Sequence, residues 1–105
     1  MLKVKLKVKI TAMARAEHPE LMAKYENPLE NPCETVLGTV FISENAEKPE
    51  GLCSVAWGCM YEFVKELSEG GGNFFGDWMK NPKSAMVSCN DGFRPVSFLL
   101  EAMEN

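Results

Sequence analysis

The sequence holds a single histidine, His18, so any cysteine–histidine dyad must use it, and a Ser–His–Asp triad finds no support. No stretch approaches 18 consecutive apolar residues, which excludes a membrane-spanning helix. The N-terminal residues alternate apolar with lysine, so they lack the continuous apolar segment of a secretory signal. Four cysteines, Cys33, Cys53, Cys59 and Cys89, contain no C-x-x-C pair, which removes the zinc-ribbon and thioredoxin signatures. Residues 1–15 contain no acid and carry +5, whereas residues 16–69 hold eleven glutamates against three lysines. The net charge of -4 repels phosphate backbones and argues against nucleic-acid binding. Together these absences place the chain in the cytoplasm, where thiols stay reduced.

What is present suits one globular domain spanning residues 1–105. Hydrophobic residues make up 46% and charged residues 25%. Area scaling at this mass leaves about 5,900 Å² exposed of roughly 17,000 Å² in the unfolded chain, enough burial for one core. Leu2–Ile10 alternates apolar residues with four lysines and predicts a strand with one face on the core and one in water. Lysines so placed suit a solvated face, an acidic partner, or an edge strand guarded against sheet-to-sheet pairing. His18–Tyr25 predicts a short helix with Pro19 in its first turn. Glu34–Ser43, rich in β-branched residues, predicts a second strand. Ser54 is placed to cap a helix running to about Ser68, with Val55, Ala56, Cys59, Met60, Phe63, Val64 and Leu67 as its apolar stripe. Gly70-Gly71-Gly72 ends it. Ser84–Cys89 and Arg94–Ala102 predict a hairpin turned by Asn90-Asp91-Gly92-Phe93, with Pro95 at a strand start or on an edge. The order ββαββ implies an α+β domain, one amphipathic helix covering one face of a mostly antiparallel sheet.

Three runs stand out: Pro49-Glu50-Gly51-Leu52-Cys53 leading into Ala56-Trp57, Gly71-Gly72-Asn73-Phe74 with Trp78-Met79, and Cys89-Asn90-Asp91-Gly92-Phe93-Arg94-Pro95-Val96-Ser97-Phe98. In this order and spacing the chain resembles a family of small, uncharacterised bacterial and archaeal proteins, from Glu26 onward. The resemblance implies that Cys33, Cys53 and Cys89 match family cysteines and that Cys59 is particular to this chain. It implies no activity. Glu34 stands where the family has proline, and the aromatic connector Phe74–Trp78 is longer here.

Cys33, Cys53 and Cys89 all fall at predicted element ends, where folding can gather sulfurs that are distant in sequence. Cys53 precedes a helix N-terminus, whose unpaired N–H groups and positive dipole end suit thiol chemistry. Three thiolates with Asp91, Glu34 or His18 as a fourth ligand would suit zinc or an iron–sulfur centre. The plainer reading makes them small buried hydrophobes, which is how Cys59 reads inside the helical stripe. Asp91 and Arg94 flank the hairpin turn, where they either grip an anion through the guanidinium fork or serve turn chemistry and a local ion pair. Gly70–Gly72 could cradle an anion through its amides or simply stop the helix. Trp57 and Trp78, with Tyr61, Phe74 and Phe75, line an apolar pocket or a partner surface, or else serve the packing of the helix against the connector.

The expectation is therefore a binding or accessory module without an evident catalytic constellation, its cysteine-bearing loop ends and aromatic connector sharing one surface, its ligand a protein or small molecule. A thiol-dependent metal or redox protein using Cys33, Cys53 and Cys89 is the alternative. An exposed sheet edge also offers a route to a homodimer.

Overall fold

In the computed structural model, which describes residues 5–28 and 35–103, four strands form one antiparallel sheet. In chain order the elements are β1 (Val8–Arg15), α1 (Pro19–Tyr25), β2 (Val40–Ser43), α2 (Ser54–Ser68), β3 (Ser84–Ser88) and β4 (Val96–Ala102). The sheet order is β2-β1-β4-β3, so β1 and β4 are central and β2 and β3 are edges. The α+β class expected from the sequence holds, and α1 falls where His18–Tyr25 predicts a short helix, between the first two strands.

One core lies between the sheet and α2. Val8, Ile10 and Ala12 of β1, Val96, Phe98 and Leu100 of β4, and Ala85 of β3 face Ala56, Met60, Val64 and Leu67 of α2, all buried. The strand residues obey the period of two and the helix residues recur every three or four, so each element turns one apolar face to the same layer. Phe41 and Val87 close the core from the two edge strands.

β1 begins later and ends later than the alternation of Leu2–Ile10 predicts. Its ladder starts where both partners end, Val8 lying opposite Ser43 of β2 and Ala102 of β4. Among the described residues no strand lies opposite residues 5–7, and an alternating sequence is a strand only where a partner runs beside it. At its far end β1 runs on to Arg15 because β4 continues to Val96 opposite it. The lysine face consequently does not guard an edge: β1 is central, with Lys7 3.2 Å from Glu44 in an exposed ion pair.

β2 is shorter than Glu34–Ser43. Gly38 adopts φ +91° and Thr39 N–H donates to the Val36 carbonyl, so residues 36–39 form a turn instead of extending the strand. Residues 29–34 lie outside the described range.

α2 covers the predicted span, but its N-cap is Cys53, which keeps an extended backbone while Ser54 is already helical. Val55 of the predicted stripe is exposed instead of buried. At the other end Gly70 (φ +86°) donates to the Leu67 carbonyl and Gly71 to that of Glu66, the paired bonds of a Schellman cap. Those amides are thereby spent on the helix, not on an anion. Lys83 Nζ lies 2.6 Å from the Gly70 carbonyl oxygen and 3.2 Å from that of Gly71, a cation at the negative end of the helix. No helix among the described residues is long and apolar enough to cross a membrane.

Candidate functional site

The β3–β4 turn is held by its own side chains. Asp91 Oδ1 accepts from the backbone N–H groups of Phe93 (2.8 Å) and Arg94 (3.2 Å), the turn chemistry expected of an Asp-Gly pair. Cys89 N–H donates to the Val96 carbonyl at 3.0 Å, and Val96 N–H donates back to Cys89 Sγ at 3.3 Å. A sulfur thus takes the place of a carbonyl oxygen as the hairpin narrows, which fixes where the Cys89 side chain sits.

This turn also anchors α1, which buries none of its own residues. Ala16 N–H donates to the Pro95 carbonyl and His18 N–H to that of Phe93. Arg94 reaches Glu26, the α1 C-cap, through two hydrogen bonds of 2.7 and 2.9 Å. The pair is well shielded from solvent. Hydrogen bonding to the Glu26 carboxylate holds the guanidinium pKa above its ordinary value, against a smaller opposing effect of desolvation. Arg94 is thus engaged by a carboxylate 68 residues away in sequence, and its fork is not free to grip a ligand.

A cavity of about 200 Å³ opens between this turn and the first turn of α2. Its polar rim consists of Cys53, Cys89, Asp91, Arg94 and Thr35. Ala56, Val96 and Phe98 make its apolar floor, with the exposed Val55 at its mouth. Cys53, the exposed helix cap, and Cys89, half-buried at the strand end, therefore meet at one opening although 36 positions separate them. Cys33 and Glu34 lie outside the described residues. Among the described residues no three of His, Cys, Asp or Glu converge to hold a metal ion. His18 is exposed at the start of α1, and Cys59 is half-buried on α2.

The two tryptophans do not belong to this cavity. Trp57 packs half-buried against the core, edge-on to Tyr61 at 5.7 Å between ring centres. Trp78 follows α2 in the chain and is tied to it through Phe75, whose ring centre lies 6.3 Å from that of Phe63. There Phe63 stacks edge-on to Phe74 at 5.0 Å, and Phe75 to Trp78 at 5.2 Å. Phe75 is 78% exposed and Trp78 42%. Thiols and aromatic connector thus form two surfaces, not one: Phe63, on which the connector packs, lies about 14 Å along the helix from Ser54 at ~1.5 Å per residue.

Sequence reading overlooked Arg15. One extra residue bulges β1 between Ala12 and Ala14, and past it Arg15 pairs with Val96, a core-facing residue. The bulge reverses the alternation and turns Arg15 to the α2 side of the sheet, where its Nη2 donates to the Thr35 carbonyl at 2.6 Å. Its Nε is buried with no hydrogen-bond partner among the described residues. No run of the sequence signals the bulge, because both alanines and Met13 suit either face.

No protein-family model, no curated protein and no solved structure matches this chain.

Proposed function

We propose that the protein is a binding module whose site is the cavity between the N-terminal turn of α2 and the β3–β4 turn. The observation that carries this reading is its makeup: an apolar floor from α2, β3–β4 and the core, rimmed by a few polar groups held in place by backbone bonds. Such concave, mainly apolar sites with fixed polar groups at the mouth are the usual form of small-ligand pockets. At about 200 Å³ it admits one small apolar group. An aromatic ring of benzene's size, which occupies a cavity of ~150 Å³, sets the scale. The ligand is accordingly a small molecule, or one apolar side chain presented by a protein partner, met in a reducing cytoplasm.

Titration with indole or phenol while following backbone amide signals tests the reading. Saturable shifts at Cys53, Ala56, Cys89 and Val96 are expected, and Val55→Phe, which fills the mouth from an exposed position, should abolish them. Shifts that never saturate, or that persist in V55F, would count against this site.

A second reading is favoured by the two sulfurs at one opening. Here Cys53 and Cys89 supply two soft ligands, and Cys33, two positions before the rim residue Thr35, supplies the third for zinc or an iron–sulfur centre. The same set would serve a redox thiol. Metal analysis and an absorption spectrum of anaerobically purified protein decide it: near-stoichiometric metal, lost in Cys53→Ser, supports the reading, and metal-free protein removes the metal. Membership of the family its motifs resemble belongs to the same proposal and adds no activity to it.

A further inference from the structure

α2 covers one face of the sheet, and none of the described helices packs on the other. The residues between the core positions point to that open face. Register aligns them in rows across all four strands. Val40, Thr11, Leu99 and Met86 make one row, from β2 through β1 and β4 to β3. Ile42, Lys9 and Glu101 make the next, which ends on β3 at Ser84, buried with its hydroxyl donating to the Asn81 carbonyl. Val40, Ile42 and Met86 are exposed, a large apolar content for a face in water. Lys9 and Glu101 sit side by side on the two central strands, yet neither forms an ion pair with any described residue.

We infer that this face binds a second copy of the same chain, sheet against sheet, about a two-fold axis running between β1 and β4. Rotation about an axis along the strands exchanges β1 with β4 and β2 with β3 at the same height. Lys9 of each copy then faces Glu101 of the other, so two opposite-charge contacts form from one pair of residues. The same operation sets Val40 over Met86 and Thr11 over Leu99. A two-fold interface must be complementary to itself, and the strand order β2-β1-β4-β3 supplies that complementarity row by row. Four strands at ~4.8 Å spacing give a patch about 19 Å wide, and aligned sheets pack ~10 Å apart with strand directions within about 30° of each other. A foreign partner would need a charge pattern matched to this face; a second copy carries it already.

Sedimentation equilibrium of the full chain, from micromolar to near-millimolar concentration, tests the inference. A dimer is expected for the natural sequence. Lys9→Glu and Glu101→Lys should each raise Kd by roughly tenfold or more, since like charges then face one another. The double variant K9E/E101K restores both contacts and should return Kd close to its original value. Lys9 and Glu101 are also neighbours within one chain, so each single change is read only where circular dichroism shows a folded protein. Val40→Lys leaves that pair untouched, and it too should dissociate the dimer. A natural chain that stays monomeric throughout overturns the inference. So does a dimer whose Kd ignores V40K and the charge exchange, because it then forms through another face.

Discussion

Leu99 and Leu100 are adjacent in β4 and point to opposite faces of the sheet, so replacing each by alanine compares the two faces directly. Leu100 is completely buried, lying between Ile10 of β1 and Ala85 of β3 beneath α2. Removing three carbons forfeits about 2.4 kcal/mol at ~0.8 kcal/mol per methylene. The unfilled space raises the loss to about 3–4 kcal/mol, within the usual span for a core leucine. In a domain of this size a loss of about 3 kcal/mol lowers Tm by roughly 12–24 °C. Leu99 is only partly buried, facing Thr11 and Met86 on the open face. Its truncation should cost at most about 1 kcal/mol in the single chain, because much of its surface already touches water. Thermal and urea unfolding at a concentration where the chain is monomeric measures both. Equal losses, or a greater loss at Leu99, would refute the assignment of faces on which the core rests.

Gly72 has φ +152°, and a Cβ there would strike the Pro82 carbonyl oxygen, so Gly72→Ala should cost about 1–3 kcal/mol in urea unfolding. A neutral result would mean that the connector's path differs. Glu26→Gln weakens the link between α1 and the β3–β4 turn, and since α1 buries nothing, amide exchange in α1 should quicken while the core strands keep their protection. Unchanged exchange in α1 would show that the hydrogen bonds from residues 16 and 18 suffice. Iodoacetamide should label the exposed Cys53 before the half-buried Cys59 and Cys89, followed by peptide mass mapping. Prior labelling of Cys89 would mean that the hairpin opens more readily than its bonds imply.

Much of the fold is legible in local patterns. The helical spacing of Ala56, Met60, Val64 and Leu67 marks α2 and its buried face, and the glycines after it mark its end. Pro19 marks the start of α1, and Asn90–Phe93 the hairpin turn. Boundaries set by partners are less legible: β1 is bounded by where β2 and β4 end, and Gly38 breaks a β-rich run by taking a conformation open to it but costly for its neighbours. At the site, Cys53, Cys89, Asp91 and Arg94 are all visible as candidates. Their distribution is not: Asp91 and Arg94 turn out to be committed to the turn and to Glu26, and Trp57 and Trp78 to separate surfaces.

Composition and periodicity by themselves determined that the chain is an α+β domain with one amphipathic helix, because backbone hydrogen bonding allows only two periods and each apolar face needs an opposing one. Tertiary structure alone decided that β1 is central, that a bulge turns Arg15 to the helix side, and that two cysteines share one cavity. Those outcomes depend on strand order and register. They are set by contacts between residues tens of positions apart, to which a short window of sequence carries no signal.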